Sequence, residues 1–118
     1  MAVAAGAFGA HVLEDRLAPE SLAVFDTGVR YQMYHAIGLF AVAWAEARWS
    51  GRATPLAGWF FIAGILVFSG SLYALAFGAP RILGAVAPVG GVAFLSGWTL
   101  LAVGATARRK EPAPDARA

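Results

Sequence analysis

The chain of 118 residues contains no cysteine and few charged residues. Without a thiol it can form no disulfide, cysteine nucleophile or cysteine metal site. Charged residues make up 14% of the sequence, whereas ordinary domains carry about 25%. The sequence also lacks a phosphate-binding loop, a nucleophilic triad and a histidine pair placed for haem. We therefore expect no enzymatic activity, no catalytic or metal-ligating residue and no cofactor.

Long apolar segments are what the chain has instead. Residues 53–80 and 82–107, 28 and 26 residues long, contain no Asp, Glu, Lys or Arg. At about 1.5 Å per residue each can form a helix of roughly 40 Å, which exceeds the roughly 30 Å hydrocarbon core of a bilayer. The sequence thus predicts an integral membrane protein whose main partner is the lipid bilayer. Its net charge of +2 reports topology, and we expect no nucleic-acid partner.

The predicted fold is all-α, a polytopic membrane helix bundle. We expect one transmembrane domain at 1–107, with three full spans after a short or truncated N-terminal helix. The spacing of charges, Gly and Pro places the helices at about 1–13, 28–48, 56–77 and 82–107. Residues 108–118 are polar and rich in Pro and Ala, which predicts a disordered cytoplasmic tail.

The first 27 residues do not provide a complete span. A helix at 1–13 is only about 20 Å long, and its small residues Ala2, Gly6 and Ala10 recur every four positions, a pattern of closely packed membrane helices. We interpret it as half of a span whose start codon was assigned too late, or as a re-entrant helix. Residues 14–27 are predicted to be an amphipathic stretch at the membrane surface that runs into the next span.

Glycine and serine are frequent in the last two predicted spans. Ser69, Gly70 and Ser71 lie in one, and the Pro88–Gly91 segment, which predicts a kink, lies in the other. Two interpretations stay open: a backbone-lined cavity or hinge, or tight helix packing with the serine hydroxyls bonded across helices. We favour packing, and we place Gly70 at a helix contact.

The distribution of Lys and Arg predicts the orientation in the membrane. With four crossings, the loop between the second and third helices shares a side with the C-terminal tail. That side holds six basic residues, Arg48, Arg52, Arg108, Arg109, Lys110 and Arg117, and the other holds three, Arg16, Arg30 and Arg81. The excess of positive charge faces the cytoplasm. We therefore predict a multi-pass protein of the bacterial inner (cytoplasmic) membrane with both termini in the cytoplasm.

Polar residues on the second span are the first candidates for function. Gln32, His35 and Glu46 fall on one stripe of the predicted helix, and ionisable groups inside membranes often mark pathways for protons or small solutes. The simpler interpretation, which we favour, is that His35 bonds a neighbouring helix and Glu46 lies at the cytoplasmic interface. Two apolar turns between His35 and Glu46 argue against a relay.

A second cluster surrounds the N-terminal end of the same helix. Asp26 and Arg30 are four residues apart, a spacing that predicts a helical ion pair. His11 and His35, with Glu14 and Asp26, are a conceivable metal site within a helical bundle, but no other feature of the sequence supports it. Interhelical hydrogen bonding is the better interpretation of the two histidines.

Four motifs in order resemble one family of small membrane proteins: GAFGAH at 6–11, DTGVRYQMYHA at 26–36, FSGSLY at 68–73 and APVGGVAFLSGW at 87–98. The family is called YgdD-like, domain-of-unknown-function family 423, or the transmembrane protein 256 family in animals. The resemblance covers about residues 6–102 and implies a four-helix inner-membrane protein with no established activity. It offers no catalytic residue. The motif positions are Gly6, Gly9, His11, Gly28, Arg30, Tyr31, Gln32, Tyr34, His35, Ser69, Gly70, Ser71, Tyr73, Pro88, Gly90 and Gly91.

The function expected from these features is non-enzymatic. Small residues in every span favour a structural or accessory component, either as a homo-oligomer or within a larger membrane complex. The alternative is a small transporter or channel for protons or a small solute, which the polar stripe and the Pro88–Gly91 segment motivate. The candidate functional residues are His11, Asp26, Arg30, Gln32, His35, Glu46, Ser69 and Ser71.

Overall fold

A computed structural model describes residues 1–106 and places nearly all of them in four helices. Helix α1 spans Ala2–Leu13, α2 Pro19–Glu46, α3 Ala53–Ala76 and α4 Leu83–Thr106. The second part of α1, Gly9–Leu13, and the middle of α3, Ile65–Ser69, are wound as π-helix. The all-helical prediction is confirmed for these residues, whereas the tail predicted at 108–118 lies outside them.

Helix α2 begins nine residues earlier than the predicted span at 28–48. Pro19 and Glu20 occupy its first turn, where proline has no hydrogen bond to lose and a carboxylate faces the positive end of the helix dipole. Phe25 is buried with Leu13 and Ala76, and Leu22 packs against this cluster. The stretch predicted to lie at the membrane surface and run into the next span is therefore largely the first turns of α2, and its apolar stripe packs against α1 and α3.

Helices α3 and α4 are long and apolar enough to cross a membrane, with mean hydropathies of 1.9 and 1.7. Only 28% and 22% of the residues in their most apolar windows are buried within the protein. The core helix of a water-soluble protein would be mostly buried, so the exposed apolar surface of these helices suits lipid. Helix α4 continues through Pro88, Gly90 and Gly91 without interruption.

Aromatic rings packed against glycines hold α3 and α4 together. The Phe94 ring of α4 covers Gly64 of α3, and the Phe61 ring of α3 covers Gly97 of α4. At Gly90 the contact is with the backbone of Phe68, because an added Cβ would lie 2.8 Å from the Phe68 Cα atom. Glycine thus brings the two helices close enough for a ring to fill each gap, as small residues do in membrane bundles.

The predicted helix contact at Gly70 is wrong. Gly70 is exposed, and a Cβ built there would meet nothing within 4 Å. Gly64, six residues earlier, occupies the contact instead because it faces Phe94. Helical periodicity, locally altered by the π-wound turn at 65–69, turns Gly70 outward.

We therefore expect Gly70→Leu to leave the free energy of unfolding within about 0.5 kcal/mol of the original protein, as for a surface substitution. Gly64→Leu is the matched change on the same helix, and it should cost about 1–3 kcal/mol because its side chain overlaps the Phe94 ring. Unfolding of both variants in mixed micelles measures the difference. Equal losses of stability would contradict the orientation of α3.

Candidate functional site

An open groove lies on the outside of the bundle between α2 and α4, and Phe68 of α3 also lines it. Its volume is about 650 Å³, within the roughly 300–1,000 Å³ of small-molecule sites. Most of its wall is apolar or aromatic, and His35 is among the residues that line it. The residues that line it are Tyr31, Tyr34, His35, Phe68, Pro88, Gly91, Val92, Phe94, Leu95 and Trp98.

Both ring nitrogens of His35 have partners. Nδ1 lies 2.8 Å from the backbone oxygen of Tyr31, one turn earlier, and Nε2 lies 3.2 Å from the indole nitrogen of Trp98 on α4. A carbonyl only accepts a hydrogen bond and an indole only donates one. The partners therefore require the neutral tautomer of His35 with its proton on Nδ1.

The His35 ring is also enclosed by aromatic rings. It is 6% exposed and stacks on Phe94 with the ring centres 3.5 Å apart and the planes 8° from parallel. Phe61 approaches it from α3 at 5.4 Å. His35 therefore joins α2 to both other long helices. The favoured sequence interpretation, a histidine bonded to a neighbouring helix, describes this arrangement.

A second hydrogen bond joins α2 to α3. The hydroxyl of Tyr73 donates to Oε1 of Gln32 at 2.6 Å, and the Tyr73 ring lies over Gly28, where an added Cβ would be 2.9 Å from it. Phe25 packs against the same ring, with the ring centres 4.9 Å apart. Gln32 thus belongs to a packed helix contact.

The serines do not bond across helices, contrary to the prediction. Ser71 and Ser96 each donate to the carbonyl four residues earlier in their own helices, which is how serine often satisfies its hydroxyl within a helix. Ser69 is 1% exposed, and its Oγ has no hydrogen-bond partner. Aromatic rings packed on glycines form the helix contacts in which hydrogen bonds from serine hydroxyls were expected.

Replacing Ser69 with alanine is expected to leave stability unchanged or raise it by up to about 1 kcal/mol, because a buried hydroxyl without a partner contributes only a desolvation cost. Ser71→Ala is the matched variant and should lose stability, since its hydroxyl donates to the Val67 carbonyl. Comparative unfolding in micelles measures both. A Ser69→Ala loss as large as that of Ser71→Ala would show that Ser69 Oγ has a partner.

The polar stripe of α2 is interrupted between His35 and Glu46. Leu39 and Val42 lie between them, and Val42 is buried in the main core cluster, where it packs against Gly58. Glu46 ends α2 and is exposed. The side chains that separate the two ionisable groups are therefore apolar and tightly packed.

The other candidate residues lie apart from His35. His11, Asp26 and Arg30 are all exposed. No salt bridge joins Asp26 to Arg30, contrary to the predicted ion pair, although both border a shallow surface groove of about 310 Å³. Within residues 1–106, no group of three or more His, Asp or Glu side chains is placed to hold a metal ion, so His11 and His35 are not brought into one site.

Sequence reasoning missed Trp98 as the partner of His35. The position of Trp98 in the sequence could have indicated this role. Tryptophan is enriched at membrane interfaces, whereas Trp98 lies well inside α4. An indole N–H within the apolar region of a membrane has no water to bond and requires an acceptor from the protein. The only histidine in the predicted full spans was the natural choice.

Comparison with known proteins identifies relatives over most of the chain. UPF0382 membrane protein YwdK of Bacillus subtilis is 50% identical over 106 residues, which cover 89% of this chain and 86% of that protein. A UPF0382 membrane protein of Haemophilus influenzae is 46% identical over 86% of this chain and 82% of its own length. UPF0382 inner membrane protein YgdD of Escherichia coli is 42% identical over 87% and 79%. No solved structure matches.

A family model matches most of α1, all of α2 and α3, and the first turns of α4. Residues 5–91 match the family described as "Protein of unknown function (DUF423)". The two hydrogen bonds between helices described above are accepted by α2 side chains within this region, Gln32 and His35. The resemblance seen in the sequence motifs is confirmed: the chain belongs to the DUF423 family of membrane proteins.

Proposed function

We propose that the protein is a non-enzymatic structural or accessory component of the bacterial cytoplasmic membrane. The observation that supports this most directly is that two polar side chains of α2, His35 and Gln32, are engaged by other helices. His35 is bonded to Trp98 and stacked on Phe94, and Gln32 is bonded to Tyr73. Atoms committed to helix contacts are not available to bind or transform a substrate.

In this proposal α2 is a third full span beside α3 and α4, and the short helix α1 enters the bilayer from the cytoplasmic side and ends toward the other side. Packing of α2 along α3, from Gly28 at Tyr73 to Val42 at Gly58, supports a common membrane depth. The excess of Lys and Arg around the loop at 47–52 and in the tail supports cytoplasmic termini. Because the chain has no cysteine, single introduced cysteines can test this topology.

The topology experiment compares cysteines introduced at Glu20 and at Arg52 in intact cells. The reagent is a maleimide that does not cross the cytoplasmic membrane. It should label the cysteine at position 20 in intact cells and the cysteine at position 52 only after lysis. Glu20 follows α1 on the non-cytoplasmic side of the proposed arrangement, and Arg52 precedes α3 on the cytoplasmic side. The reverse pattern would overturn the orientation.

The proposed partners are lipid and other membrane proteins, or further copies of the chain, and no cofactor is required. Large apolar side chains cover the outer face of the bundle, for example Phe40 at 78% exposure and Trp59 at 69%. Native mass spectrometry of tagged protein extracted gently from its own membrane tests the accessory role. A defined complex with another protein is the expected result, and a monomer or homo-oligomer alone would contradict it.

A small transporter or channel is the second candidate, and the groove that opens onto His35 is the observation that favours it. A solute entering there would reach a polar group within the membrane region. This role predicts flux through the purified protein in liposomes, which an accessory subunit does not require. The His35 variant treated in the Discussion separates the two roles.

A further inference from the structure

We infer that the groove between α2 and α4 binds a phospholipid with a phosphoethanolamine headgroup. One acyl chain lies in the aromatic groove, and the headgroup lies at Asp26 and Arg30. The inference goes beyond the accessory role, because it depends only on insertion of the protein in a membrane and applies equally to a transporter.

The groove has the surface that an acyl chain requires. Phe68, Val92 and Leu95 line it with hydrocarbon, and Gly91 contributes no side chain. A Cβ built at Gly91 would meet nothing within 4 Å, so the space beside α4 is open. An apolar groove of this kind, open to the membrane, stabilises a chain by contact along its length.

The polar end of the site lies beside the groove on α2, about one turn toward the N-terminal end of the helix. Tyr34 borders both the aromatic groove and the shallow groove formed by Asp26, Val29, Arg30 and Met33. The two grooves therefore adjoin at the Tyr34 side chain, and one of them is charged while the other is apolar. This order of chemistry matches a phospholipid.

The depth of the charged end also suits a headgroup. Gly28 packs against Tyr73, which is three residues from the end of α3 at Ala76. Arg30 is two residues farther along α2, so it lies roughly 8 Å from that end of the bundle. From that depth the Arg30 side chain can extend toward the interface and place its guanidinium beside the lipid phosphates.

Two opposite charges select the headgroup. Asp26 and Arg30 are separated by about 6 Å along the helix, both are exposed, and they are not joined by a salt bridge. In phosphoethanolamine a two-carbon link separates a phosphate from an ammonium with three N–H donors. Arg30 binds the phosphate and Asp26 accepts from the ammonium. Phosphatidylcholine has no N–H to donate, and phosphatidylglycerol has no cation for Asp26.

Trp98 lies in the groove and provides the readout. The full chain with Trp44, Trp49 and Trp59 replaced by phenylalanine retains this single tryptophan of the four. It is reconstituted in phosphatidylcholine vesicles, each of which contains the same mole fraction of one lipid brominated on its acyl chains. The three brominated lipids compared are phosphatidylethanolamine, phosphatidylcholine and phosphatidylglycerol. We expect brominated phosphatidylethanolamine to quench Trp98 with an association constant about five-fold or more above that of brominated phosphatidylcholine, as one charged hydrogen bond implies.

Variants assign each part of the site. Asp26→Asn should abolish the preference for phosphatidylethanolamine over phosphatidylcholine, and Arg30→Gln should weaken binding of both. Arg81→Gln, which removes an exposed cation in the loop before α4, is the matched control and should change neither. Gly91→Leu should fill the groove and reduce quenching, whereas Gly84→Leu, at an equally open position outside it, should not.

The outcomes are distinct. Equal quenching by the three headgroups, or a preference for phosphatidylglycerol, would overturn the phosphoethanolamine assignment. Quenching that Gly91→Leu leaves unchanged would overturn the location of the chain in the groove. Loss of the preference in Asp26→Asn alone, with Trp98 emission and unfolding as in the parent, supports the site.

Discussion

Gly90→Ala is expected to destabilise the protein by about 1–3 kcal/mol, although it adds one methyl group. The new Cβ would lie 2.8 Å from Cα and 2.7 Å from Cβ of Phe68, and closer still to the Phe68 backbone nitrogen. Backbone atoms cannot move aside as the end of a flexible side chain does. Helices α3 and α4 must therefore separate, which also loosens the packing of Phe94 on Gly64.

The adjacent glycine supplies the control. Gly91→Ala is the same chemical change at the next residue of the same helix, but its Cβ meets nothing within 4 Å. Alanine is favoured over glycine in a helix by up to about 1 kcal/mol, so this variant should be as stable as the parent or more stable. Unfolding by SDS in mixed micelles, followed by near-ultraviolet circular dichroism, measures both. Equal stability of the two variants would contradict the close approach of α4 to Phe68.

This pair of glycines shows how far the sequence could predict the fold. Glycine-rich apolar segments predicted close helix packing, and the contacts at Gly64, Gly90 and Gly97 agree with that expectation. The sequence did not distinguish these positions from Gly70 or Gly91, which face open space. Whether a glycine matters depends on the atom opposite it, and that atom comes from another helix whose rotation depends in part on the π-wound turn at 65–69.

The boundaries of α2 illustrate a different limit. Counting charges placed the start of the span near Gly28, because Glu20 and Asp26 are costly in hydrocarbon. The helix itself begins at Pro19, since helix formation depends on backbone bonds and on the packing of Phe25. Charge predicts where a membrane helix meets water, but it does not predict where the helix begins.

The candidate site was only half predictable for a related reason. His35 and Gln32 were visible as polar residues in an apolar segment, and hydrogen bonding across helices was the expected role of His35. Their partners Trp98 and Tyr73 lie 63 and 41 residues away in the sequence. No periodicity links residues at such separations, so the pairing follows only from the way the helices pack.

His35→Ala is the second substitution for which a large effect is expected. It leaves the indole N–H of Trp98 without an acceptor and removes the ring stacked on Phe94. Trp98 is 45% exposed, and on the apolar outer face its N–H would meet lipid, which offers no acceptor. A donor left unsatisfied away from water costs about 1–3 kcal/mol, and the lost stacking adds to this. His11→Ala is the matched control, since His11 is exposed, and its stability should stay within about 0.5 kcal/mol of the parent.

A double-mutant cycle with Trp98→Phe isolates the hydrogen bond from the packing. Phenylalanine keeps an aromatic ring near Phe61, whose centre is 4.9 Å from that of Trp98, but it has no N–H. Hydrogen bonds between membrane helices contribute about 0.6 kcal/mol on average, with values up to about 1.7. A coupling energy in this range between His35 and Trp98 is expected, and additive effects of the two substitutions would contradict the bond.

The same variant decides between the two proposed functions. If His35 joins helices, then His35→Ala lowers stability, and its effect on any activity follows the fraction of folded protein. If His35 lies on a solute path, then the variant should abolish proton flux in liposomes while it remains as stable as His11→Ala. The neutral tautomer that the Tyr31 carbonyl and the Trp98 indole require favours the first result, because a proton carrier must release one of these bonds whenever it accepts a second proton.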